Sequence, residues 1–131
     1  MMKYSDDYLP SAPVARVTIR NPETNESISD VAMLLDTGAD ITILPRAICE
    51  QIGLSSDSQE EVQGFDGRIS NVEVVQASLI FHNKLFQGRF FLYDSEEGIL
   101  GRDVSNAFTI LLDGPNSEWE VVDPVTRRDN S

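Results

Sequence analysis

The tetrapeptide Asp36-Thr37-Gly38-Ala39 occurs once in 131 residues, directly behind the apolar run Val31 to Leu35. A buried strand that ends in a carboxylate on a tight Thr-Gly turn suits hydrolysis of a peptide bond by water. That reaction needs a base to take a proton from the water. It also needs an acid to protonate the carbonyl oxygen and then the leaving amine. Two carboxyl groups within hydrogen-bond reach can do both, because their mutual repulsion leaves the pair holding a single proton over a wide pH range. With one copy of the motif in the chain, the second carboxylate is expected from a second chain. In such a turn the Thr37 hydroxyl is suited to bond across to the partner, and Gly38 lets backbone and substrate come close.

The elements that must deliver this turn read as short strands. Val14 to Arg20 is rich in β-branched residues and ends at the turn formers Asn21-Pro22-Glu23-Thr24-Asn25, after which Ile28 to Leu35 completes a hairpin leading to Asp36. Beyond the turn, Ile41 to Leu44 reads as a short strand, and Pro45 opens a helix through Ile52 that Gly53 ends. Ser55 to Glu61 reads as a polar connection. Val62 to Ile69 then places two strand-like arms around a glycine-rich tip, Gly64-Phe65-Asp66-Gly67. Val72 to Phe81 and Leu85 to Tyr93 form another strand pair across His82-Asn83-Lys84. Phe108 to Leu112 and Trp119 to Val122 form the last hairpin. Many short strands with one or two short helices predict an all-β, mostly antiparallel sheet, closed or partly open as a barrel. One domain is expected over 14–122, flanked by a loose N-terminal segment over 1–13 and a loose tail over 123–131.

Composition narrows the function classes. The formal charge of −12, from 22 acidic against 10 basic residues, argues against a phosphate-binding surface, so no nucleic-acid partner is expected. No apolar run approaches the roughly 20 residues needed to span a bilayer, and the N-terminus lacks the basic start and apolar stretch of an export signal. A lone Cys49 forms no intrachain disulfide, which fits a reducing, cytoplasmic compartment. With only His82 beside it, no thiolate-rich zinc site forms. The acids Asp36, Asp40, Asp66 and Asp103 lack the spacing of a calcium loop, so neither metal nor cofactor is expected. Cys49 reads as a small buried hydrophobe and His82 as a solvated turn residue.

Leu34-Leu35-Asp36-Thr37-Gly38-Ala39-Asp40 resembles the active-site signature of retropepsin-like aspartic proteases, which work as homodimers. Gly98-Ile99-Leu100-Gly101-Arg102-Asp103 resembles the second motif of that family, ahead of its C-terminal helix, and the Gly64 to Gly67 hairpin falls where the family has its flap. The resemblance covers about Val14 to Leu112. It implies a retropepsin-type barrel in which Asp36 is the catalytic carboxylate and Thr37 and Gly38 complete the interlocked turn. It also implies that Ala39 and Asp40 meet the substrate backbone, with Arg102 paired to Asp40. Gly64, Phe65, Asp66 and Gly67 would close as a flap over an extended peptide. Ile99, Leu100, Gly101, Arg102 and Asp103 would support the loop from behind. Ile43, Ile69 and Phe65 are read as core before subsite walls.

The chain departs from the viral pattern in its extended first turn and in a C-terminal hairpin containing Trp119. In viral members the terminal strands of both subunits interleave, so the dimer seam here is expected to be built differently. A stand-alone cellular protein is favoured over an excised viral fragment. Three readings compete: an endopeptidase, a dimeric peptide-binding module that keeps the fold and cleft without cutting, and a structural oligomerisation domain in which Asp36 merely caps a turn.

Overall fold

The computed structural model describes residues 1–64 and 66–122. Phe65 of the expected flap tip and the tail expected over 123–131 lie outside the described residues. The strands are β1 (Met2–Lys3), β2 (Val14–Arg20), β3 (Ser27–Leu35), β4 (Ile43–Pro45), β5 (Ser58–Gln63), β6 (Ile69–Phe81), β7 (Lys84–Tyr93), β8 (Gly98–Leu100), β9 (Thr109–Asp113) and β10 (Glu118–Val122). The two helices are α1 (Arg46–Gln51) and α2 (Arg102–Ser105).

Six strands in the order β2-β3-β8-β4-β7-β6 close into a barrel through pairing of β2 with β6, and β5 extends β6 as an outer edge. Pairing is antiparallel except for β3 with β8 and β4 with β7. Period-two alternation decides which face is inward. Ala15, Val17 and Ile19 of β2, Val31, Met33 and Leu35 of β3, and Val75, Ala77, Leu79 and Phe81 of β6 are all buried in one core. Closure is helped by a bulge. Opposite Thr18, β3 carries an extra residue between Ile28 and Val31, and Asp30 there takes φ 63°. The bulge sharpens the twist just where β2, still paired with β3 on one edge, meets β6 on the other. At this same end of β6, His82 and Asn83 both have positive φ between the paired Phe81 and Lys84, the geometry of a tight two-residue hairpin.

Three expectations shift. Ser55 to Glu61 is not simply a connection, because Ser58–Gln63 pairs along Ile69 to Val74 as β5. Most of that strand is solvent-exposed, so its backbone ladder rather than apolar alternation holds it, and a polar sequence gives no warning. Ile69 is 67% exposed and belongs to no core. Residues 1–13, expected to be loose, carry pairing of their own. β1 lies antiparallel to β10, with Met2 opposite Trp119, and Ser5 and Ala12 exchange backbone hydrogen bonds at 2.7 and 3.1 Å. The Tyr8 hydroxyl donates to Glu97. Burial, then that bond, pushes Tyr8 up to about 12.

A second sheet, β1-β10-β9, covers one end of the barrel. Its Trp119 is fully buried and stacks on Phe81 at 6.3 Å between ring centroids, and Phe108 meets Phe81 edge-on at 5.1 Å. The indole N–H finds no acceptor among the described residues, which costs about 1–3 kcal/mol. Removing roughly 150–250 Å² of ring surface from water is worth about 4–6 kcal/mol, so burial wins.

The tightest backbone approach is at Gly98, which starts β8 between β3 and β4. A β-carbon there would overlap Met33 Sδ and fall 2.7 Å from the Ile43 carbonyl oxygen. The thioether can swing away, but the carbonyl is fixed by the sheet. Gly98→Ala is therefore expected to lower unfolding free energy by about 1–3 kcal/mol, read by chemical denaturation.

Candidate active site

β3 delivers Asp36 by ending there. Leu34 and Leu35 run parallel to Ile99 and Leu100 of β8, and the Asp36 N–H donates to the Leu100 carbonyl at 3.2 Å as the last rung. The chain then turns. The Ala39 N–H donates to the Asp36 carbonyl at 3.2 Å, and the Gly38 N–H donates to Asp36 Oδ1 at 2.9 Å. A β-carbon on Gly38 would sit 3.2 Å from that same oxygen, so glycine lets the turn close over its own carboxylate. Asp36 is half-buried, while Thr37 and Gly38 are exposed and face outward.

The second motif grips this loop from behind. The Arg102 N–H donates to the Ala39 carbonyl at 2.9 Å and the Asp103 N–H to the Asp40 carbonyl at 3.3 Å. The Arg102 guanidinium donates to the Thr37 carbonyl at 2.7 Å and pairs with the Asp40 carboxylate, the pairing expected from sequence. Asp40 is 80% exposed at its side chain, so this ion pair contributes only about 0–1 kcal/mol and serves chiefly to orient the loop.

A stronger contact lies outside the sequence expectations. Thr42 is fully buried and offers both its donors to Asp103: its N–H lies 3.1 Å from each carboxylate oxygen, and its hydroxyl donates to Oδ1 at 2.7 Å. The same hydroxyl accepts the Gly101 N–H at 3.0 Å. Gly101 has no room for a side chain, since a β-carbon would lie 2.8 Å from the Ile41 carbonyl carbon. From sequence, Thr42 is only one residue of a strand over Ile41 to Leu44. Its polarity inside an apolar run is the signal that could have marked it, and the strand begins one residue after it because Asp103 has taken its donor.

The structure thus brings Asp36, Thr37, Gly38, Ala39 and Asp40 together with Ile99, Leu100, Gly101, Arg102 and Asp103. Leu100 and Gly101 are buried behind the loop, and Ile99 is partly so. Gly64, Asp66 and Gly67 lie apart from them at the tip of the β5–β6 hairpin. That tip is closed by Gly64 N–H to the Arg68 carbonyl at 2.9 Å and Gly67 N–H to the Gly64 carbonyl at 3.0 Å. Among the described residues no hydrogen bond links this tip to the Asp36 loop. Two surface clefts, of about 380 Å³ beside Arg46 and Glu73 and about 460 Å³ beside Asn21 and Gly53, do not include Asp36. Cys49 is no rival nucleophile, since burial pushes its thiol up to about 12.

Known proteins share features of this chain. A family model described as aspartyl protease matches residues 15–104. Among solved structures, the chain is similar to EIAV protease complexed with the inhibitor HBY-793. The identity is 21% and the TM-score 0.54, over 73% of this chain and 86% of that one. At that identity the likeness carries the fold, a retropepsin-like barrel. No curated protein matches.

Thr42→Val keeps the shape and the backbone N–H bonds to Asp103 but leaves the Gly101 N–H without its acceptor and Asp103 without the hydroxyl donor. It is expected to cost about 1–3 kcal/mol in a denaturation experiment. Thr42→Ser, which keeps the hydroxyl, is expected to recover most of that loss.

Proposed function

The chain belongs to the aspartyl protease family, and from that premise we propose that it is an endopeptidase whose active site forms when two copies meet. The observation that carries this reading is a half-site. Each chain presents one Asp-Thr-Gly carboxylate on an outward-facing loop, held rigidly from behind by β8 and α2 and open in front. A loop so fixed is preorganised for a symmetric partner, and symmetry supplies the second carboxylate.

In the proposed reaction, Asp36 and the partner subunit's Asp36 share one proton and hold a water between them. The ionised carboxylate takes a proton from the water as its oxygen attacks the peptide carbonyl, and the protonated carboxyl gives its proton to the carbonyl oxygen. Collapse of the resulting diol breaks the C–N bond. The amine leaves with the pair's proton while the diol hydroxyl that becomes the product carbonyl gives its own proton to the other carboxylate, so the pair returns to its one-proton state. Thr37 would lock the two turns across the two-fold axis. The peptide would lie extended, its backbone bonded to Ala39 and Asp40 below, with side chains alternating into apolar pockets. Gly64, Phe65, Asp66 and Gly67 would close above it as a flap and exclude water. The catalytic unit would span 14–122, with residues 1–13 flanking it, in a cytoplasmic, reducing setting that suits the lone Cys49.

Asp36→Asn is expected to lower kcat/KM on unfolded protein substrate by at least about 10³-fold while the dimer persists in sedimentation. Wild-type protein that binds extended peptides yet leaves them whole at mildly acid to neutral pH would point instead to the non-catalytic binding module. In a dilution series, specific activity is expected to fall as the protein drops below its dimer dissociation constant. Constant specific activity through that range would contradict a shared site.

A further inference from the structure

One row of side chains on the outside of the barrel lacks partners. Arg20, Ser78 and Gln87 stand directly opposite one another across β2, β6 and β7. Ile19, Ala77 and Leu79 beside them point into the core, so strand alternation turns the row outward. Ser78 is nonetheless only 1% exposed. Its Oγ and the Arg20 Nε are both buried, and neither has a hydrogen-bond partner among the described residues. Folded proteins rarely leave such donors unmatched, and these two lie side by side. Arg20 is also short of a counter-charge. Arg46, Arg68, Arg89 and Arg102 each pair with a carboxylate. No described acid lies within ion-pairing distance of Arg20, in a chain of net charge −12.

The cleft of about 460 Å³ lies on this same face. Gln87 lines it, as does Gln76, which shares the outward side of β6 with Ser78, and Asn21, Glu23, Ser55 and Asp57 complete its polar wall. Its shape is fixed from one side by Asn21, which is buried, donates from Nδ2 to the Ile52 carbonyl at 2.9 Å and accepts the Glu23 N–H at 3.0 Å. The turn after β2 is thereby tied to the end of α1. We propose that this cleft binds a ligand through a single carboxylate, which accepts from Arg20 Nε–H and the Ser78 hydroxyl, with the Gln76 and Gln87 amides beside it. Its volume is in the range of small-molecule sites, and bonds to an ionised acceptor are the strong ones. Water would satisfy the hydroxyl but leave the guanidinium uncompensated. A monoanion is the fitting class, because one guanidinium meets one charge while Glu23 and Asp57 line the same cleft. Arg89 offsets Asp57 at 3.5 Å, and no cation pairs with Glu23 among the described residues, so a dianion such as phosphate would add repulsion. The site goes beyond the protease reading, since the cleft does not include Asp36.

The test titrates isotope-labelled protein with acetate and with N-acetyl-dialanine, a short peptide end, and follows side-chain resonances. At least one of the two is expected to shift the Arg20 Nε–H and the Gln76 and Gln87 amides saturably, the tighter binder marking a free acid or a chain end as the source. The C-terminal amide of the same dipeptide is expected to shift none of them. Arg20→Gln and Ser78→Ala are each expected to weaken binding about tenfold or more, as loss of a bond to a charged acceptor implies. Ser78→Ala also carries a second readout. Because its hydroxyl has no partner among the described residues, removing it is expected to leave the unfolding midpoint unchanged or raised in the free protein. Four results would each overturn the carboxylate site: no saturable shift with either acid, equal binding of the amide, phosphate binding as tightly as acetate, or a Ser78→Ala protein that is less stable yet binds as before.

Discussion

The carboxylate of Asp103 is the fixed point on which the Asp36 loop rests. It receives the backbone N–H and the hydroxyl of Thr42, and Thr42 in turn accepts the Gly101 N–H, so two segments about sixty residues apart are stitched by one buried threonine. Hydrogen bonds to a charged acceptor are worth about 1.5–3 kcal/mol each, against 0–1 kcal/mol for the exposed Arg102–Asp40 pair. Magnitude therefore ranks the clasp above the ion pair, although the ion pair is the more conspicuous feature in the sequence. Without the clasp, the β3–β8 seam would still bring Asp36 to the surface. The turn from Thr37 to Asp40 would keep its bonds to Arg102 and the Asp103 N–H, but the segment that supplies them would lose its tie to Thr42.

The same seam explains the two glycines. Gly98 and Gly101 bracket β8, and each stands where a neighbouring backbone leaves no space for a methyl group. A strand of three residues has little ladder of its own, so β8 is held by being squeezed between β3 and β4, and close approach is its main source of order. Leu100 is fully buried beneath the loop and fills the space that would otherwise open under Asp36.

Much of this is legible in the residues, for identifiable reasons. Val14 to Arg20 shows strong alternation and its bounds match β2, and the Gly53 stop of α1 is seen at φ 75°. The loop pairing of Arg102 with Asp40 is legible through family resemblance rather than through pattern. The elements that escape detection are those where pattern carries no information. β5 is polar on both faces because it is an edge. β1 is two residues long and exists because β10 offers a ladder. Thr42 looks like any β-branched residue in a strand until its partner, sixty positions later, is placed beside it. Local sequence reports burial and turns well, and it reports poorly on elements that exist only through a distant partner.

The pairing of β1 with β10 joins segments more than a hundred positions apart, the longest loop closure among the described residues. Contacts of that span are slow to find, because the chain entropy of closure must be met before any ladder forms. During synthesis the barrel strands can assemble while β10 is still within the ribosome, and the sheet over the barrel's end cannot be finished until β10 has emerged. A nascent chain therefore completes its barrel before the sheet that carries Trp119, and the order of emergence makes burial of that indole a late event.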